Sequence, residues 1–332
     1  MKHLIALVAA TSLALSAPAS AADSLPVGLC INMGNSFEVG RFGPEGVRNA
    51  GANDFTRIAA AGFKTIRLPV RWSDKTADDL GHAIDPKWMA QVDTAVGQAL
   101  DAGLNVILND HHFEALDDDP AANSAKLAAI WRQVAKHFAD RPTDRLWFEI
   151  ENEPHKNLTN ANLLATLNPS LAAIRESNPD RPVIIGGENW SGIDSLATLE
   201  LPDDDNVYPT FHYYEPFDFT HQGATWAGDP PPKVGRVYGN AADAERLVRD
   251  VDKIRAYVER TGKVPFMGET GAYEGYIEPE QRAAYHRAVR EAFAPTGIGV
   301  CAWAYTNTFP FYDQKAGRWI PGMLEAFGLP EK

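Results

Sequence analysis

The chain has only two cysteines, Cys30 and Cys301, in 332 residues. That is too few for a disulfide framework, so the fold must rest on a hydrophobic core. A basic excess is also missing, since the formal net charge is −13. Nucleic acid needs a cationic face to neutralise its phosphates, and this balance excludes it as the expected partner. No Pro/Ser/Thr or Gly/Ser linker, short repeat or low-complexity tract interrupts the chain, so nothing marks off a second module. No Gly-x-Gly-x-x-Gly follows the first strand-like segment, which argues against a dinucleotide-binding sheet. No His-Glu-x-x-His or His-x-His pair occurs, so His111, His112, His155, His212 and His221 lack a zinc-ligand spacing. The runs Asp117-Asp118-Asp119 and Asp203-Asp204-Asp205 lack the alternating ligands and distal Glu of a calcium loop and read as solvated loop.

No apolar run reaches the roughly 20 residues needed to span a bilayer. The chain instead opens Met1-Lys2-His3, continues apolar from Leu4 to Leu15 apart from Thr11 and Ser12, and reaches Ala19-Ser20-Ala21. A basic start, a short apolar segment and an Ala-x-Ala site make 1–21 a secretory signal peptide. The expected product is 22–332, periplasmic or extracellular, with no membrane partner. Leu29 beside Cys30 does not suit a lipoprotein cleavage site.

What the sequence does contain is a repeated unit. Apolar, β-rich segments lie at 27–31, 65–69, 105–109, 146–150, 182–185, 207–212, 264–268 and 300–303. Amphipathic patterns fill the intervals at 52–61, 86–102, 125–138, 160–177, 241–261 and 279–294. Gly62, Gly103 and Gly262 each stand where a helix would end in the left-handed conformation, just before a strand. Eight strands alternating with helices predict a single-domain α/β fold, a (β/α)8 TIM barrel. Cys30 and Cys301 fall on the first and last strands, neighbours in a closed barrel. A disulfide and two buried free thiols are both compatible with that placement.

In such a barrel the active site forms at the C-terminal strand ends. Those ends carry Asn32, Asn35 and Glu38; Arg67 and Arg71; Asp110, His111 and His112; Asn152, Glu153 and His155; Asn189 and Trp190; His212 and Tyr214; Glu269; and Trp303. Two glutamates among them, Glu153 and Glu269, supply the pair of carboxyl groups that acetal hydrolysis needs.

Leu146-Trp147-Phe148-Glu149-Ile150-Glu151-Asn152-Glu153-Pro154 resembles the Asn-Glu-Pro strand of glycoside hydrolase family 5, a group that includes many bacterial endo-β-1,4-glucanases. Gly34-Asn35-Ser36-Phe37-Glu38, Ile66-Arg67-Leu68-Pro69, Asn109-Asp110-His111-His112, Phe211-His212-Tyr213-Tyr214-Glu215-Pro216, Gly268-Glu269 and Trp303 resemble its other strand ends in order. The resemblance spans 28–313. It implies a retaining mechanism with Glu153 as acid/base and Glu269 as nucleophile, no cofactor and no metal. It implies that Arg67 and Tyr214 face Glu269, that His212 faces Glu153, and that Asn152 bonds the sugar 2-hydroxyl. Asn35, His111, His112 and Trp190 join the substrate-binding set, with Trp303 as a stacking floor.

Trp226 can serve either the platform or packing, whereas Trp88 and Trp131 lie in helical patterns and read as core. Glu149 is deeper in its strand and should pair inside the barrel, as a buried carboxylate must. Asn152 and Glu153 are consecutive, so an ideal strand would aim them oppositely, and both reaching the site requires a bulge or bend. The expected partner is a β-glucan polysaccharide or oligosaccharide bound by a monomer. A mannanase, xyloglucanase or β-1,3-glucanase is the alternative within the same chemistry, and a non-catalytic carbohydrate-binding barrel is the alternative outside it.

Overall fold

The structure, a computed structural model, describes residues 23–39, 51–79 and 81–331. The expected signal peptide, 1–21, lies outside them. Eight parallel strands close into a barrel: β1 (Leu29–Asn32), β2 (Thr65–Leu68), β3 (Asn105–Asn109), β4 (Leu146–Glu149), β5 (Val183–Gly186), β6 (Val207–His212), β7 (Phe266–Glu269) and β8 (Val300–Ala302). They pair in sequence order, and β8 closes on β1. Each expected strand is present, shifted by no more than a residue or two.

The period of two along each strand sorts side chains into two cores. Outward positions such as Ile31, Ile66, Val106, Phe148, Ile185, Phe211 and Met267 pack under the helices. Inward positions build a smaller cluster of Leu25, Val27, Cys30, Ile107, Trp147, Ile184, Phe266 and Cys301. Two residues further on, the inward positions turn polar: Cys30 is followed by Asn32, Thr65 by Arg67, Ile107 by Asn109 and Trp147 by Glu149, all buried. An apolar plug thus carries a polar floor, and the site stands on it.

Gly62, Gly103 and Gly262 have φ of 107°, 86° and 72°, so each adopts the left-handed conformation that turns a helix end back toward the barrel. The acidic run 117–119 departs from its reading as solvated loop. Asp117 closes a short helix, Glu114–Asp118, and is buried, while Asp119 caps the next helix, Pro120–His137, accepting from the Ala122 N–H at 3.1 Å. That helix begins five residues before the expected 125, because an N-cap Asp followed by Pro at the first helical position is a start signal. In the second acidic run, Asp204 pairs with Arg175 at 2.8 Å.

Cys30 and Cys301 sit opposite each other in the β1–β8 register and form a disulfide, with an S–S distance of 2.16 Å. This decides between the two states the sequence allowed. The bond ties the first barrel strand to the last across 271 residues of chain. Replacing both cysteines by alanine should lower unfolding stability by about 2–4 kcal/mol. Guanidinium titration of the two proteins, with and without reductant, measures it. Reductant should shift the wild-type midpoint and leave that of the double variant in place.

Candidate active site

Arg67, on β2, is fully buried and uses all five of its N–H groups. Nε and Nη2 grip the two oxygens of Glu149 at 2.7 Å each. Nη1 donates to Asn32 Oδ1 at 2.9 Å and to Glu269 Oε1 at 2.7 Å, and Nη2 donates to Asn152 Oδ1 at 2.6 Å. Three strand ends, those of β1, β4 and β7, therefore converge on one guanidinium carried by β2. Glu149, expected to pair inside the barrel, has Arg67 as its partner there. Asn152, its oxygen committed to Arg67, is oriented by that bond with its NH2 turned toward Glu153 as the donor face.

Glu269 closes β7 and also accepts from the Tyr214 hydroxyl at 2.7 Å. Glu153 faces it after β4, with His212 Nδ1 2.8 Å from its Oε1. His212 closes β6 and Tyr214 follows two residues later, so the period of two turns both toward the glutamates. Glu153, His212 and Glu269 each present a ligand-type atom within 4.8 Å of the others. The bend required for Asn152 and Glu153 to share the site is present, because Glu153 has φ 54° and turns the backbone left-handed. Two glycines admit the neighbours. A Cβ on Gly268 would lie 2.7 Å from Thr210 Oγ1 and 3.0 Å from His212 Nε2, and one on Gly34 would lie 2.9 Å from the Trp303 ring.

Burial raises both glutamates. It lifts Glu153 to about 7 against the charge of Arg67 and the bond from Asn152. It also raises Glu269, where His212, Arg67 and Tyr214 pull the other way and Glu153 adds to the rise. Burial holds His212 down at about 4, so its imidazole is neutral. Its Nε2 has no partner among the described residues, which favours the tautomer protonated at Nδ1 and donating to Glu153. Tyr214 is raised far above the usual phenol value by burial and by Glu269, so it stays a donor.

The remaining site residues expected from sequence lie around this pair. The His111 ring stacks on Trp303 at 5.7 Å with planes 4° apart, and His112 meets His111 edge-on at 4.4 Å. Asn109 Nδ2 lies 3.2 Å from His111 Nδ1, which leaves Nε2 as the protonated nitrogen of that neutral ring. Asn35 has φ 60°, and its N–H donates to Glu38, as does that of Ser36. Trp190 and Trp226 are each 56% exposed, Trp190 on His155 and Trp226 against Tyr273. Trp131 is core, as expected, and Trp88 packs edge-on to Phe37.

Three buried carboxyls behind the site have no assignment in the sequence reading. Burial raises Glu38 and Asp110, to about 7 and 8, and raises Glu151 far above its usual range, with Asp110 and Asp117 adding to the effect on Glu151. Among the described residues, both oxygens of Glu151 and Oδ2 of Asp110 lack a hydrogen-bond partner. Low dielectric disfavours the charged form of all three, and neighbouring carboxyls add to this at Glu38, through Glu269, and at Glu151. Their strand-end positions were legible, and their burial was not.

The cellulase family, glycosyl hydrolase family 5, matches residues 34–309. Endoglucanase H of Acetivibrio thermocellus is 31% identical over 277 residues, 83% of this chain; the chain spans 29% of that relative's length. A hyperthermophilic endo-beta-1,4-glucanase solved in complex with substrate is 35% identical, with a TM-score of 0.85 over 91% of this chain and 97% of its own. Cel5A of Thermotoga maritima, solved in complex with mannotriose substrate, is 32% identical, with a TM-score of 0.86 over the same shares. With a closed (β/α)8 barrel, two facing glutamates at the ends of β4 and β7 and this match across most of its length, the chain belongs to glycosyl hydrolase family 5.

Proposed function

We propose that this glycoside hydrolase is an exported, retaining endo-β-1,4-glucanase acting on cellulose-type or mixed-linkage β-glucan. The observation that carries the reading is the unequal environment of two carboxyls whose oxygens approach within 4.8 Å. Retaining enzymes hold their pair about 5–5.5 Å apart, whereas inverting enzymes leave about 6.5–9.5 Å for a water. Glu269, held by a guanidinium and a phenol at 2.7 Å each, is the group whose anion is supported, and it serves as nucleophile. Glu153 rests on a neutral imidazole and keeps its proton to about 7, so it donates to the departing sugar oxygen and then removes a proton from the incoming water. Arg67 steadies the charge that returns to Glu269 when the glycosyl–enzyme ester is hydrolysed. The Asn152 amide donates to the 2-hydroxyl of the reacting sugar, and Trp303 supplies the apolar surface beneath it.

Exposed aromatic rings beyond this pair, Trp190 after β5 and Trp226 after β6, support binding of a chain longer than one sugar. The relative solved with mannotriose makes β-mannan the second substrate to test. A divalent cation among Glu153, His212 and Glu269 would have to share Glu269 with Arg67 and so meet a fixed positive charge. The two-glutamate reading therefore expects EDTA to leave the rate unchanged.

The first expected outcome concerns the nucleophile. Glu269→Gln should lower reducing-sugar release from carboxymethylcellulose and barley β-glucan by at least about 1,000-fold. Proton NMR of the first products from wild type should show the β-anomer, and an α-anomer would exclude retention.

The second concerns pH. Glu153 is needed protonated, so kcat/KM should fall as pH rises through about 7. Glu269 is needed ionised, and because burial raises it, the acidic limb should lie above the ordinary carboxylate range. A pH–rate series on an aryl β-cellobioside reads both limbs. In Glu153→Ala the basic limb should vanish, and its persistence there would assign it to another group.

A further inference from the structure

We infer that Asp117 and His155 form a brace that positions the acid/base carboxyl by holding the backbone of Glu153 in its left-handed turn. The inference rests on the reading of Glu153 as acid/base. Left-handed backbone costs an ordinary side chain about 1–2 kcal/mol, so a glutamate stays there only when its surroundings impose it. Strand β4 ends at Glu149, and the backbone bonds that continue its line stop at the Asn152 N–H, which donates to the Asp110 carbonyl at 3.0 Å, one residue short of Glu153.

The constraint comes from the short helix that the acidic run forms. His155 Nδ1 lies 2.7 Å from the Glu153 carbonyl oxygen, and since a carbonyl only accepts, Nδ1 carries the proton. Asp117 holds His155 from the other side, Oδ1 accepting its backbone N–H at 3.1 Å and Oδ2 standing 3.4 Å from the same Nδ1. The Asp117 carbonyl accepts from the Asn157 N–H at 3.1 Å, and the Asp118 carbonyl from Asn157 Nδ2 at 2.8 Å. Helix Glu114–Asp118 is therefore sewn to the turn 153–157. Behind the turn, the His155 ring stacks on Trp190 at 5.0 Å, and the Trp190 N–H donates to the Pro154 carbonyl at 3.1 Å.

Neither residue reaches the reacting atoms. Both act through the Glu153 main chain, while its carboxyl is met from the side by His212 Nδ1 and by the Asn152 amide. Misplacing a proton donor by about 1 Å costs on the order of 100-fold in rate. That loss should appear only where protonation of the leaving group is needed.

The experiment compares kcat/KM for phenyl β-cellobioside, whose leaving group needs a proton, with 2,4-dinitrophenyl β-cellobioside, whose leaving group does not. The ratio on one preparation is independent of how much of the protein is folded, and the two substrates share the same sugar. In His155→Ala and Asp117→Ala the phenyl substrate should lose about 10-fold or more while the dinitrophenyl substrate changes by less than about 3-fold. His155→Asn, whose Nδ2 sits where Nδ1 sat, should recover most of the loss. Equal losses on both substrates in both alanine variants, or no recovery in His155→Asn, would overturn the brace. Glu153→Ala is the control: it should lose the phenyl reaction and regain turnover of the dinitrophenyl substrate with azide. If that control fails, the acid/base assignment is what has failed.

Discussion

The site depends on Arg67. A guanidinium with no solvent contact is tolerable only when every N–H is met, and here two carboxylates and two amides meet all five. Because Arg67 stands on β2 and those partners come from β1, β4 and β7, the same group that neutralises the barrel floor also sets the distance between its strand ends. Its orientation is fixed in turn by Glu149, which holds it on two sides and leaves Nη1 aimed at Glu269. A lysine could not do this, since an ammonium lacks the planar fork.

Around that cation the chain has collected more buried carboxyl groups than it can neutralise. Glu38, Asp110, Glu151, Glu153 and Glu269 are all raised by burial, and the charges of Glu149 and Glu269 are the ones Arg67 contacts directly. Glu269 has that cation and the Tyr214 hydroxyl at 2.7 Å each to offset burial, whereas Glu153 has the His212 imidazole at 2.8 Å, so two carboxyls within contact distance stand in unequal surroundings. The roles proposed for Glu153 and Glu269 draw on that inequality.

Much of this was legible because a parallel barrel converts spacing into position. Strands 105–109 and 207–212 and helices 52–61 and 241–261 have the bounds their patterns indicate. The period of two put His212 with Tyr214 on the site, the depth of Glu149 in its strand put it inside the barrel, and the family resemblance put Arg67 beside Glu269. The incompatibility of consecutive Asn152 and Glu153 on a flat strand required a bend, and φ of 54° at Glu153 is that bend. The acidic run 117–119 was illegible for a stated reason: charge density suggests solvent, whereas Asp119-Pro120 is a helix start and Asp117 is consumed by a turn 38 residues away. Trp190 reads as a substrate residue from its strand-end position, and only the folded chain stacks it on the histidine that holds Glu153.

By itself the sequence determined the alternation of strands and helices, the residues at each strand end and the presence of two glutamates where a barrel does its chemistry, because these follow from local periodicity and the handed βα unit. Tertiary structure decided what no local pattern encodes. It paired Cys30 with Cys301, gave Glu153 and Glu269 different neighbours, left Glu151 buried with no hydrogen-bond partner among the described residues and brought Asp117 to the back of the turn at Glu153. Proton affinity, ion pairing and backbone strain depend on distance through space and on exclusion of water. Those quantities exist only once distant strands have closed on one another.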